Sequence, residues 1–366
     1  MSERARPQLA MFALAAGAGA LAVPVWVALR AGGGPSAPAD WHGYEMLFGY
    51  ALAVVAGFLI GPVPRWAVVL LATSWSAAQL AGALAPFGWL HAACSALFAL
   101  TAAVLAAPKL FRGPSKLANR VFGPVVILLC VDAAVAPFAP ALRARLLVAG
   151  LDLFTVLLVF MGGRIIAAAA AGQYYRRGER LDTRVQPRIE GVALVLLLLL
   201  AWNDVLAGSD ALGSALALAA AGVLTVRWLR WRLWTCRGAW NLLALGVAYL
   251  WLPLGLAIRA SWTLPVWTRP FDALHGLTAG ALGSLTLLVM GRTRLMASGR
   301  DPERSRVLAA AGLAVSAAAS LRLLAGVRAL GGRAPLLLAA GAAWGLAFLA
   351  LGGLLARLPR GPARNR

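Results

Sequence analysis

Residues 41–60 read Trp41-His42-Gly43-Tyr44-Glu45-Met46 and then LFGYALAVVAGFLI, from Leu47 to Ile60. An apolar run of about the length of a bilayer span satisfies its own backbone groups only as a helix. The stretch has many counterparts: 61% of the 366 residues are hydrophobic, the mean hydropathy is +0.79, and apolar runs recur along nearly the whole chain. That composition excludes an ordinary soluble domain and points to a polytopic membrane protein. The basic start, Met1 to Pro7, leads into an apolar segment longer than a signal-peptide core and without a clear small-residue cleavage site. It reads as a retained first helix.

A window of about twenty residues predicts about twelve spans. The first six fall roughly at 8–29, 43–62, 66–85, 89–107, 121–138 and 146–170. The other six fall roughly at 190–207, 211–227, 238–257, 272–292, 306–326 and 334–356. The fold expected is therefore all-α, a single transmembrane domain over residues 1–366, with short turns such as Pro86-Phe87-Gly88 and Gly208-Ser209-Asp210 joining antiparallel neighbours.

The formal charge of +21 would suggest nucleic acid for a soluble protein, but here its distribution reports topology. Most of the 34 Lys and Arg fall on the N-terminal side of the membrane, which makes both termini cytoplasmic by the positive-inside rule. The clusters Arg176-Arg177, Arg227 to Arg237 and Arg292 to Arg306 then read as anchors on anionic lipid headgroups, with no role for nucleic acid. Cys94, Cys130 and Cys236 show no CxxC or CxxCH spacing, so they read as small buried apolar residues.

Topology sorts the rare polar residues. His42, His91 and His275 all open spans at the outer ends of helices, and Glu45, Asp132, Asp152, Asp204, Asp210 and Asp272 fall in the outer half or outer loops. Ionisable groups at membrane depth are costly and normally face a protein interior or a wet cavity, so an outward-facing polar site is expected. His42 and Glu45 are three residues apart, as are Asp272 and His275, which would put each pair on one helical face. A carboxylate beside a histidine can fix the imidazole tautomer and raise its basicity as a ligand. The bland alternative is a set of hydrated interfacial residues, and it suits His91 best, which follows an ordinary turn with the belt residue Trp89.

Three segments carry a family resemblance. Trp41 to Tyr50, continuing through Ala56-Gly57-Phe58-Leu59 and Val63-Pro64-Arg65-Trp66, resembles the signature of the NnrS family of haem- and copper-containing membrane proteins. Met161-Gly162-Gly163-Arg164-Ile165-Ile166 is similar to that family's central glycine-arginine motif. Leu274-His275-Gly276-Leu277-Thr278, with Gly280, Gly283, Thr286, Val289-Met290 and Arg292, is similar to its late histidine helix. The resemblance covers roughly residues 40–300, in the expected order. It implies a multi-pass protein of the bacterial cytoplasmic (inner) membrane, linked to nitric oxide and nitrosative stress, with haem and, in typical members, copper. It does not imply a particular reaction.

By fold-level analogy alone, haem-copper oxidase and nitric oxide reductase core subunits also have twelve helices and hold a haem between histidines of the second and tenth. The expectation is haem at the outer face between helices two and ten, ligated by His42 and His275, with Glu45 and Asp272 orienting them. Arg164 either snorkels to the interface or pairs with a haem propionate or a carboxylate such as Asp132.

The chain also departs from the family. Tyr44 stands where typical members have a second histidine, and Ala297 where they have a later one, so copper is left with His91, alone or with Met46 or Cys94. Copper is therefore not supported by the residues. The glycines within spans, among them the Gly276/Gly280 pair, either let helices approach closely or leave room for a flat macrocycle. Motifs of soluble hydrolases, zinc proteases and P-loops are absent, and no catalytic residue is assigned. Two classes of function follow: a haem-bearing stress protein that binds or relays nitric oxide or electrons, or a cofactor-free transporter or assembly factor on the same fold.

Overall fold

The computed structural model describes residues 4–31, 38–111 and 121–359. They form twelve principal helices. The first six are α1 (Gln8–Ala31), α2 (Asp40–Leu59), α3 (Arg65–Leu84), α4 (Trp89–Phe111), α5 (Phe122–Val135) and α6 (Arg143–Arg176). The second six are α7 (Pro187–Val205), α8 (Asp210–Arg230), α9 (Trp240–Arg259), α10 (Pro270–Ala297), α11 (Arg306–Leu324) and α12 (Arg333–Ala356). Eleven are long and apolar enough to cross a membrane. The remaining one, α5, is apolar but shorter. The chain is thus an all-α polytopic membrane protein, with each helix close to its expected place. At 34 residues, α6 runs about 50 Å, well beyond the ~30 Å hydrocarbon layer. The sheet among the described residues is one short antiparallel pair, β1 (Arg4–Ala5) with β2 (Val63–Pro64).

The chain folds as two compact units. One comprises Met1–Ala18 and Pro35–Phe154, the other Gly19–Gly34 and Thr155–Arg366. In the first, α4 packs against both α3 and α5. In the second, α7 to α12 pack largely in chain order, and α9 also meets α11. Helices start where sequence chemistry lets them: Ser209 Oγ accepts the Leu212 N–H at the head of α8, and Ser305 Oγ the Leu308 N–H at the head of α11. Each satisfies one otherwise orphaned donor.

Burial separates the helices by role. The apolar windows of α2, α6 and α10 are 72%, 78% and 78% buried, against 28% for α1, α7 and α8. The most enclosed helices are therefore those that carry the three motif segments, and the others present side chains such as Leu84, Val104 and Leu346 outward. Close packing accounts for the glycines of α10. A Cβ at Gly280 would fall 2.4 Å from the Trp251 ring, one at Gly283 would fall 2.5 Å from Trp344, and Gly276 faces Gly255 backbone to backbone. These positions are filled by neighbouring helices, with no space left on them for a macrocycle.

Candidate functional site

Helices α2 and α10 share a feature that hydropathy does not reveal: each changes winding next to its histidine. Glu45–Ala51 is π-helical and begins three residues after His42. Gly276–Gly283 is π-helical and begins immediately after His275. These are the two π-helical stretches among the described residues. Such widened turns are uncommon and concentrate at functional sites. Side chains support the altered ladder in both. Trp75 donates its indole N–H to the Gly49 carbonyl at 2.8 Å, and the Ser284 and Thr286 hydroxyls donate to the Gly280 and Leu282 carbonyls.

In the first unit, the π turn brings Glu45 into a buried polar cluster. Its Oε2 accepts from Gln79 Nε2 at 2.6 Å, and its Oε1 lies 2.9 Å from His91 Nε2. The two atoms are in close contact without hydrogen-bond geometry, and among the described residues neither has a hydrogen-bond partner. The backbone N–H of Phe87 donates to His91 Nδ1 at 3.0 Å. A ring nitrogen that accepts carries no proton, so the imidazole proton of His91 lies on Nε2, the atom nearest Glu45. Gly82 and Gly49 make room for this arrangement: a Cβ at Gly82 would fall 2.9 Å from Glu45 Oε1 and 3.1 Å from His91 Nε2, and one at Gly49 would fall 2.6 Å from Glu45 Oε2.

Aromatic groups close the cluster. The Tyr44 ring stands edge-on to His91 with centroids 5.5 Å apart, and its hydroxyl donates to the Ala133 carbonyl at 2.7 Å. Phe87 stacks on His91 and carries the Arg143 guanidinium 3.5 Å above its own ring. Arg143 also pairs with Asp40 at 3.0 Å. Phe87 achieves this with φ at +58°, a left-handed conformation that costs a non-glycine residue about 1–2 kcal/mol. Its N–H bond to His91 and the cation above its ring offset that strain. Asp132, also buried, has no partner for Oδ1 among the described residues, and the missing side chain of Gly150 leaves room for its Oδ2.

The pairing expected between His42 and Glu45 is therefore not what occupies the carboxylate: the histidine that Glu45 meets is His91. His42 and Glu45 are joined by regular α-helical winding, the Glu45 N–H bonding the Trp41 and His42 carbonyls, so a shared face does not decide the partner: Gln79 and His91 of the neighbouring helices reach the carboxylate instead. His42 is half-buried in the first turn of α2. His91, read as an interfacial residue, is 1% exposed, with Nδ1 held by the Phe87 N–H and Nε2 against the Glu45 carboxylate. A metal there would have to displace one of its partners.

In the second unit, His275 is half-buried, and its Nδ1 lies 3.1 Å from the Phe271 carbonyl. That oxygen can only accept, so Nδ1 carries a proton. Asp272, three residues earlier, is 2% exposed and meets arginines. Its Oδ1 accepts from Arg322 at 2.6 Å and its Oδ2 from Arg333 at 3.2 Å, while the Arg269 backbone N–H reaches Oδ2 at 3.1 Å. A Cβ at Gly326 would fall 2.7 Å from Asp272 Cβ, so only glycine lets the loop approach the carboxylate.

The basic clusters need correction. Arg227 is 2% exposed and bonds Glu190 at 2.7 Å, Tyr249 Oη at 2.9 Å and the Val159 carbonyl at 2.8 Å. Arg292 bonds Asn241 and Glu303, whose other oxygen takes the Leu242 N–H, and Arg294 is buried with a bond to the Pro359 carbonyl. These three are internal ties rather than headgroup anchors, because acidic and carbonyl partners are waiting inside the unit. Arg176, Arg230, Arg232 and Arg237 remain exposed. Arg164 is exposed as well, and it is not alone within a helix, since Arg227 and Arg322 lie within α8 and α11. The central motif acquires a steric meaning through Gly163, where a Cβ would fall 2.6 Å from the Arg227 guanidinium.

Sequence reading passed over Gln79, Arg322 and Arg333, and gave Phe87 and Arg227 other roles, a connecting turn and a headgroup anchor. Gln79 and Arg322 did leave a signal, as polar groups within predicted spans. Phe87 left none, because its role lies in its backbone conformation.

No functionally curated protein matches the chain. The model of the NnrS protein family matches residues 7–358, well beyond the 40–300 of the motif resemblance, and with a match over nearly its whole length this chain belongs to the NnrS family.

Proposed function

We propose that the chain is a haem-binding member of its family in the bacterial cytoplasmic membrane, with both termini cytoplasmic, acting in the response to nitric oxide and nitrosative stress. The observation that supports this most is His275. A backbone carbonyl 3.1 Å from Nδ1 orients the imidazole, the kind of outer hydrogen bond that a haem-ligating histidine carries. Haem, when bound, supplies an iron that takes up an electron or a diatomic ligand such as nitric oxide. His42 is the second imidazole that the motif reading assigns to the iron. Asp272 holds two guanidinium groups one helical turn from His275, and Glu45 orders Gln79 and His91.

Copper does not fit the residues present. The hydroxyl of Tyr44, at the family's second-histidine position, is spent on the Ala133 carbonyl, and His91 Nδ1 accepts the Phe87 N–H. No group of three or more His, Cys, Asp or Glu gathers as a ligand set among the described residues. No step is assigned to copper.

The test is optical. Protein purified from a haem-replete host is expected to show a Soret band, and His275→Ala and His42→Ala are each expected to change the reduced spectrum. A spectrum unchanged in both variants rejects these ligands. A second reading, a cofactor-free transporter or assembly factor, draws on the Tyr44 hydroxyl sealing the second-histidine position. It would be favoured by absence of haem together with substrate-dependent flux in vesicles.

A further inference from the structure

Arg143, at the head of α6, ties together three other parts of the first unit. Its Nε and one terminal nitrogen donate to the Ala136 and Pro137 carbonyls, just past α5, at 3.1 Å each. The other terminal nitrogen bonds Asp40, at the head of α2, at 3.0 Å. The guanidinium carbon stands 3.5 Å from the centre of the Phe87 ring, in the turn between α3 and α4. Under that ring lies His91, stacked on it and bonded through Nδ1 to the Phe87 N–H. One cation therefore holds one aromatic residue over a buried imidazole.

Three features make this cover able to open. The Phe87 backbone is left-handed, with φ at +58°, and a swing of the turn outward would release that strain. Asp40, the carboxylate partner of Arg143, has a side chain 32% exposed, and a partly exposed ion pair holds only weakly. The groups beneath gain from opening: Glu45 Oε1 and His91 Nε2 are buried without a hydrogen-bond partner among the described residues, a cost that entering water would remove. The same swing withdraws the Phe87 N–H from His91 and uncovers the Nδ1 lone pair.

We propose that Phe87 is a gate over His91 and Glu45, latched by the Arg143–Asp40 pair, which opens by local movement of the Pro86-Phe87-Gly88 turn and admits small polar molecules to the pair. Closed, the gate keeps water from the imidazole; open, it presents Nδ1 while the helices around it stay folded.

The experiment follows carbethoxylation of His91 by diethyl pyrocarbonate in the purified full-length protein, each histidine being read separately by mass spectrometry, beside the melting temperature. The reagent attacks an unprotonated ring nitrogen, so it reports the release of Nδ1. Asp40→Asn is expected to speed labelling of His91 roughly threefold, the size of a partly exposed ion pair, with little change in Tm. Phe87→Ala, which removes the ring and its cation contact, is expected to speed it about tenfold or more. Leu71→Ala truncates a fully buried side chain on α3 of the same unit, and should lower Tm more than Asp40→Asn while speeding labelling less. Labelling that instead follows Tm, with Leu71→Ala ahead of Asp40→Asn, means that His91 is reached by general unfolding and overturns the gate. Equal rates in wild type, Asp40→Asn and Phe87→Ala overturn it as well. Wild type gives a measure that needs no variant to fold: well below Tm its His91 labelling should rise only shallowly with temperature, and a rise as steep as that of unfolding overturns the proposal.

Discussion

Replacing Gly82 by alanine tests the buried Glu45–His91 pair with the smallest available perturbation. The new Cβ would stand 2.9 Å from Glu45 Oε1 and 3.1 Å from His91 Nε2, which are themselves 2.9 Å apart. Neither side chain has an easy retreat, since Glu45 Oε2 is held by Gln79 and His91 Nδ1 by the Phe87 N–H. Parting the pair breaks a buried 2.9 Å carboxylate–imidazole contact, a loss of about 2–3 kcal/mol. Alanine regains about 1 kcal/mol over glycine in a helix, so the net loss is about 1–2 kcal/mol, or a fall in Tm of roughly 2–6 °C. The control is Gly17→Ala on α1 of the same unit, where nothing lies within 4 Å of a new Cβ. That substitution should be neutral or slightly stabilising. Thermal unfolding in detergent, followed by a thiol-reactive fluorophore, reads both, because Cys130 is buried in this unit. In a Glu45→Ala background the penalty at Gly82 should shrink or reverse sign, a coupling that a double-mutant cycle isolates. A Gly82→Ala protein that melts like Gly17→Ala would refute the description of the pair.

Two further outcomes follow from the second unit. Arg227→Met should destabilise by about 3 kcal/mol, because Glu190 and the Val159 carbonyl lose a buried partner, and the double variant with Glu190→Leu should recover much of the loss in the same melting assay. Burial pushes the Cys236 thiol above the ordinary cysteine range. Since the thiolate is the reactive form, a raised pKa leaves less of it at pH 8. Maleimide should therefore label Cys236 more slowly in the native protein than in the unfolded one, with the native rate still rising above pH 9. Equal rates at pH 8 would contradict its burial.

Hydropathy made the helices legible because a membrane span is a length and composition rule, insensitive to which neighbour a residue meets. It placed α1 to α12 within a few residues of their ends, α6 excepted, whose charged and small-residue extensions beyond the hydrocarbon layer dilute the signal. Partner choice was less legible. The i, i+3 argument that joined Glu45 to His42 assigns a shared face, which the α-helical winding there keeps, but it does not see Gln79 and His91 arriving from other helices. His91 looked interfacial because it follows a tight turn, yet Phe87 in a left-handed conformation folds that turn back over the ring. Charge clusters misled in a similar way: counting arginines by loop assigns a side of the membrane, but Arg227, Arg292 and Arg294 turn inward to partners that the count does not see.

The wide turns in α2 and α10 have a consequence for how either helix answers to change. One extra residue is accommodated in a π turn, so positions before Glu45 and after Ala51, or before Gly276 and after Gly283, are out of phase with a single 3.6-residue repeat. A substitution scan across either helix should show sensitive positions that keep a regular period on each side of the stretch but skip a beat across it. Deleting one residue within Gly276–Gly283 would return the segment to α-helical winding and turn His275 by about 100° relative to Ser284–Ala297. The aim of the histidine is thus set by how many residues the turn contains, and a one-residue change in chain length would alter it more than most replacements nearby.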